Sequence, residues 1–148
     1  MKFSNRLAVY AALTALACTS VTAFADDHAY TEGLIVNVAR IRTVDGKFDD
    51  YMKWLGTTWK AQQEAAKKAG YLVSYEVFTV EPRTPDDPDL FLVTRYKNWA
   101  ALDGAQAKGD EIAKLVEGSV AASNQAQFSR AAIRRVLGSS TMQVLDLK

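Results

Sequence analysis

The sequence predicts an α+β domain: one antiparallel sheet with its helices on one face. Three observations carry this. Four segments, 33–43, 71–80, 90–97 and 141–147, are rich in β-branched and aromatic residues and read as strands. Helical apolar spacing lies between the first and second of them, and again between the third and fourth. Only a short loop separates the second from the third, which is the spacing of a hairpin.

The first strand is GLIVNVARIRT, Gly33 to Thr43. Asp45 to Ala69 reads as a long helix with the stripe Phe48, Met52, Leu55, Trp59 and Ala66. Asp49 and Asp50 near its start and Lys67 and Lys68 near its end complement the helix dipole, and Gly70 stops it. Gly56-Thr57-Thr58 weakens the middle and predicts a kink there. YLVSYEVFTV, Tyr71 to Val80, is the second strand. Residues 81–89 hold all three prolines, whose missing N–H excludes them from a ladder, so they form a loop. LFLVTRYK, Leu90 to Lys97, is the third strand.

Asn98 is placed to cap a turn beginning at Trp99. Asp110 to Glu117 reads as a short helix. Ser119 to Val136 reads as a longer one, with Ala121, Phe128 and Ala132 on one face. TMQVLDL, Thr141 to Leu147, closes the chain as a fourth strand. The order β-α-β-β-α-β defines a ferredoxin-like domain, and right-handed crossovers place the third strand between the first and second.

A sheet covered on one face alternates apolar and polar residues. Here Leu34, Val36 and Val38 oppose Ile35, Ala39 and Ile41, and Leu90 and Leu92 oppose Phe91 and Val93. Both faces call for burial, and the helices suffice for one. A second copy of the sheet covers the other in the favoured reading, giving a homodimer. The alternative is that residues 105–118 fold across it.

Element order, two-faced strands and a first helix carrying Tyr51-Met52-Lys53-Trp54 and Trp59-Lys60 resemble the dimeric α/β-barrel superfamily over residues 33–148. The resemblance implies sheets pairing as a dimeric α/β barrel. It also implies a functional range that includes cofactor-free monooxygenases, lactone isomerases and haem-binding enzymes. The stretch 98–136 departs from it, being longer than one second helix.

The first 25 residues read as an export signal. Met1, Lys2 and Arg6 give a positive start, Leu7 to Ala17 is a largely apolar run of 11 residues, and Ala23-Phe24-Ala25 offers a cleavage point. That run is shorter than the roughly 20 residues of a membrane span. Cleavage leaves residues 26–148 as one domain, in the periplasm or secreted. Lipidation at Cys18 is the rival processing route. Cys18 is the only cysteine, so the cleaved chain has neither a disulfide nor a thiolate ligand. Losing Lys2 and Arg6 from 18 basic residues leaves 16 against 17 acidic, a net charge of −1. That balance offers no bulk attraction to nucleic acid or to an anionic membrane.

His28 is the only histidine and precedes the first strand. A Ser-His-acid triad is therefore not expected. The haem-binding relatives use a histidine of the folded domain, so no haem is expected either. After cleavage, Asp26-Asp27-His28 places an imidazole third from a free amine. Amine, two backbone amides and imidazole form a planar nitrogen set suited to Cu(II) or Ni(II).

Asn37 interrupts an apolar strand, as a polar anchor in a ligand cavity or as an amide satisfied by neighbouring backbone. The resemblance implies the anchor, since its cofactor-free monooxygenases carry an Asn on this strand; the amide satisfied by neighbouring backbone is the preferred reading. Glu76 and Arg95 are similar candidates, or a cross-strand pair. Trp54 lies about 120° off the helical stripe, and Tyr75 and Tyr96 are candidate lining residues. Arg130, Arg134 and Arg135 are expected to complement the last helix's dipole in solvent. Asp86, Asp87 and Asp89 are expected at a solvated loop tip, since the spacing of a calcium loop is missing. Three functions fit: binding of a small hydrophobic molecule, a cofactor-independent oxygenase or isomerase, or a structural dimerisation module.

Overall fold

The computed structural model describes residues 28–148. The expected signal, its cleavage point and Asp26 and Asp27 lie outside the described residues. Strand β1 (Tyr30–Thr43) leads into α1 (Phe48–Trp54), a π-helical segment (Leu55–Trp59) and α2 (Lys60–Lys68). The hairpin β2 (Ser74–Thr79) and β3 (Leu90–Tyr96) follows. After a 3-10 turn (Trp99–Leu102) come α3 (Ala105–Glu117), α4 (Val120–Ser129), a second 3-10 turn (Arg130–Ala132) and β4 (Arg134–Leu147). The sheet order is β2-β3-β1-β4 with every pairing antiparallel. This is the ferredoxin-like α+β topology, with β3 between β1 and β2 as the crossover rule requires. Among the described residues no helix is long and apolar enough to cross a membrane.

The first helix breaks where Gly56-Thr57-Thr58 weakens it, and the break is a π-helical turn. The Thr57 hydroxyl donates back to the Lys53 carbonyl at 2.8 Å, holding the widened turn. The widening changes which side chains face the sheet. Tyr51, Leu55 and Trp59, each four apart, are buried with Ile41, Leu90 and Leu92 as one core. Phe48 and Met52, expected on that stripe, are 40% and 36% exposed. A repeat of four matches the wider π turn, whereas the expected stripe assumed 3.6 residues per turn throughout. The helix ends as the sequence indicates. Gly70 takes a positive φ of 77°, and the Gly70 and Tyr71 amides donate to the Lys67 and Ala66 carbonyls.

Asn98 caps the 3-10 turn, accepting from the Ala101 amide at 3.1 Å. Helix α3 begins at Ala105, earlier than expected, and runs through Gly109. It packs against α2 and α4. Residues 105–118 therefore do not cross the second face of the sheet, and that alternative is set aside.

The largest difference is at the last helix. Helix α4 ends at Ser129, and the stretch expected to remain helical to Val136 has already become strand at Arg134. Strand β4 pairs with β1 from Arg134 opposite Thr43 to Leu147 opposite Tyr30. Arg134 and Arg135 thus belong to the sheet and not to a helix terminus. The long edge of β1 supplies the ladder that local propensity did not reveal. A bulge accommodates it: Arg40 faces Gly138 and Ile41 faces Val136, leaving Leu137 as the extra residue. Gly138 sits at φ +125°, and an added Cβ would come within 3.3 Å of Arg40 Nη2.

The loop carboxylates are also not equivalent. Asp89 is half-buried at the start of β3. Its two oxygens accept from the Thr43 amide at 3.0 and 3.1 Å, and one also accepts from the Thr43 hydroxyl. It pins the end of β1 to the hairpin, while Asp86 reaches Arg135 at 3.3 Å in solvent.

Candidate functional site

The register sorts the candidate residues by face. Ile35, Asn37, Ala39 and Ile41 of β1 lie opposite Tyr96, Thr94, Leu92 and Leu90 of β3, and Tyr75 and Val77 of β2 share this face. It is the face on which α1, the π turn and α2 pack. Val36, Val38, Arg95, Val93, Glu76 and Phe78 point to the other face by strand alternation. Asn37, Tyr75, Tyr96 and Trp54 thus sit on the helical side, and Glu76 and Arg95 do not.

Each candidate then has a local role. The Asn37 amide donates to the Thr141 hydroxyl at 2.9 Å across the β1–β4 ladder. Arg95 and Glu76 form an ion pair at 2.5 Å on the opposite face, the cross-strand arrangement weighed for them. Tyr75 meets Trp59 edge-to-face at 5.3 Å and donates its hydroxyl to Glu64 at 2.5 Å. That bond to the carboxylate holds the Tyr75 hydroxyl above its ordinary 10.0. Trp54 is half-buried against the core and stacks on Tyr51 at 5.4 Å.

Of these, Tyr96 lines a cavity. The cavity, about 290 Å³, lies where α2, α3 and the end of β3 meet. Leu72, Ile112, Ala113, Ala66, Ala101 and Leu102 supply apolar wall. Six polar side chains line it: Gln62, Gln63, Tyr71, Tyr96, Lys108 and Ser123. The Tyr96 hydroxyl accepts from Thr94 at 3.3 Å, so its own proton remains available to donate. Lys108 donates to the Ala101 carbonyl at 2.8 Å and lies 5.3 Å from the Tyr71 ring centroid. Tyr71 donates to Glu111 at 2.8 Å, and this bond raises its hydroxyl above 10.0. Gln62, on the cavity wall, donates to Glu117 at 2.6 Å. An apolar chamber with a few fixed polar groups is the usual form of a small-molecule site, and this one is near the small end of the range.

Sequence reasoning did not find Tyr71, Leu72, Lys108 or Ile112. A signal exists: Ala105, Gly109, Ile112 and Ala113 fall at helical spacing, a face of mostly small residues where a second helix can approach. Gly109, a residue type that disfavours helix, lies inside α3 on the cavity wall.

Among the described residues no group of three or more His, Cys, Asp or Glu side chains is placed to hold a metal ion. His28 is described, with its ring stacked on Tyr30 at 5.2 Å.

The fold and cavity define an α+β ferredoxin-like protein with a chamber beside its second helix. No protein-family model and no curated protein matches the chain. Solved structures do resemble it. HapK from Hahella chejuensis is 13% identical with a TM-score of 0.49, over 73% of this chain and 90% of that one. Protein SO0527 from Shewanella oneidensis is 17% identical with a TM-score of 0.49, over 79% and 96%. A dimeric ferredoxin-like protein from an uncultured marine organism is 11% identical with a TM-score of 0.49, over 80% and 96%. Likenesses of this degree carry nothing about activity, ligand or partner.

Proposed function

We propose that this chain is an exported homodimeric protein that binds a small hydrophobic molecule in the chamber between α2 and α3. The observation that carries the reading is the chamber itself, with apolar walls and the Tyr96 hydroxyl and Lys108 ammonium at its margin. Export rests on the amino-terminal pattern of residues 1–25. A catalytic version, a cofactor-independent oxygenase or isomerase, draws no support from Asn37, Glu76 and Arg95, which lie on two faces of the sheet.

The experiment is native mass spectrometry of the purified protein, followed by titration with 1-anilinonaphthalene-8-sulfonate as an apolar probe. Saturable binding at one site per chain, lost when Ala113→Trp fills the chamber, supports the reading. Binding that is absent, or that is unchanged in Ala113→Trp, overturns it.

A second reading has its own observation. Among the described residues no helix covers the sheet's other face, which leaves Phe78, Met142 and Val144 exposed, as a structural dimerisation module would. Dimerisation without any occupant of the chamber selects this module.

A further inference from the structure

The segment 130–134 brings two guanidinium groups onto a stacked aromatic pair. Tyr51 and Trp54 of α1 are 5.4 Å apart and nearly parallel. The Arg130 guanidinium carbon lies 4.3 Å from the Trp54 ring centroid, and that of Arg134 lies 5.8 Å from the Tyr51 centroid. Both arginines are half-buried, contrary to the solvated role expected of them. Arg130 Nε, Arg130 Nη1 and Arg134 Nε are shielded from solvent and have no hydrogen-bond partner among the described residues.

Two half-buried positive charges side by side normally come with carboxylates, because an unpaired buried charge is costly. Here no ion pair is formed to either arginine among the described residues. The two acids whose charges bear on this cluster are committed elsewhere. Glu117 accepts from Gln62, and Asp89 accepts from the Thr43 amide and hydroxyl. Burial first, and then the charge of Arg134, work against protonated Arg130. Burial likewise raises the Tyr51 hydroxyl above 10.0, opposed by the charges of the two arginines and by the approach of the Arg134 side chain to that hydroxyl. The cluster has excess donors and excess positive charge, with aromatic faces beneath both guanidiniums.

We infer that Arg130 and Arg134 form a binding site for one oxyanionic group, a carboxylate or a phosphate, over the Tyr51–Trp54 pair. The guanidinium fork matches the geometry of either group; between the two forks a phosphate offsets nearly both charges and a carboxylate offsets one. The site is separate from the chamber between α2 and α3, since none of its four residues lines that chamber. Arg135 is not part of it, because its guanidinium reaches Asp86 in solvent.

The test is a nitrogen–proton NMR titration of the arginine Nε–H signals of the purified protein. The probes are inorganic phosphate and benzoate, at ionic strength matched with chloride. A saturable shift of both Arg130 and Arg134 signals, with Arg135 unmoved, is the expected result, and the tighter probe names the group. Arg130→Gln and Arg134→Gln should each weaken binding at least tenfold, and Arg135→Gln should leave it unchanged. Equal, unsaturated drift with phosphate, benzoate and chloride means general screening and overturns the site. No shift overturns it as well. If either glutamine variant fails to fold, the wild-type titration alone decides, and Arg130→Lys, which keeps the charge but loses the fork, gives the second measure.

Discussion

Phe78→Asp tests whether the sheet's uncovered face is an interface. Phe78 and Met142 lie on opposite edge strands and are 48% and 50% exposed in the single chain. Full burial of such a side chain is worth about 1.5–3 kcal/mol, so covering the remaining half contributes about 1 kcal/mol. Twofold symmetry counts each residue twice. The two positions together then supply roughly 4 kcal/mol, on the order of a thousandfold in dimer affinity. Phe78→Asp removes about half of that, a weakening of about thirtyfold, before the added cost of desolvating two carboxylates. In an isolated chain the same substitution sits at a half-exposed position and changes folding stability by only about 0.5 kcal/mol. Sedimentation equilibrium over a range of concentrations reads the dimer, and circular dichroism with urea melts reads the fold. The reasoning is refuted if the wild type sediments as a monomer at tens of micromolar. It is also refuted if Phe78→Asp leaves the dissociation constant unchanged.

Three further outcomes are expected. Leu90→Ala should lower unfolding free energy by about 2–5 kcal/mol, since Leu90 is buried in the core beside Ile41 and Tyr51; a loss under about 1 kcal/mol in urea denaturation would contradict the core described. The Asp87 carboxyl is held below its ordinary 3.8 by the amides of Thr84, at 2.8 Å, and Arg83, at 3.0 Å. Its contribution to the loop is therefore complete above 3.8 and is lost as pH falls through the lower folded value. The Thr84 amide resonance should titrate with a midpoint below 3.8, and a midpoint at or above it would show that the carboxylate is not held. Protein processed after Ala25 should bind one Cu(II) through its amine, two amides and His28, with a planar-nitrogen d–d band; a titration unchanged in His28→Ala rejects the site.

The strand order was legible because it depends on quantities a sequence displays. Four β-rich runs, a proline loop between the middle two and helical spacing on either side leave few topologies once crossovers must be right-handed. The errors cluster where a tertiary partner decides local structure. Arg134-Arg135-Val136 has no strong strand signal of its own and is strand because β1 extends far enough to pair with it. Tyr51 was passed over for Phe48 and Met52 because a periodicity argument assumes an undisturbed α-helix. The sequence marked the disturbance at Gly56-Thr57-Thr58, but not that it would take π form and turn Tyr51 inward.

The site was less legible for a related reason. Asn37, Glu76 and Arg95 stood out as polar residues in apolar strands, and such residues are as often satisfied by the adjacent strand as aimed at a ligand. Asn37 has Thr141 across the β1–β4 ladder, and Arg95 has Glu76 across the hairpin, so each is satisfied within the sheet. Polar residues with partners on the adjacent strand explain themselves. The arginines invert that logic. Arg130 and Arg134 have the pattern of ordinary cations at a helix end, and nothing in their spacing marks Tyr51 and Trp54 as the rings they lie against. Their distinguishing property is the partner they lack among the described residues: Arg130 Nε and Nη1 and Arg134 Nε are shielded without an acceptor there, while Glu117 and Asp89 are engaged elsewhere. An unmet donor is defined by three-dimensional surroundings and not by residue type, so it is found by accounting for each buried N–H in turn.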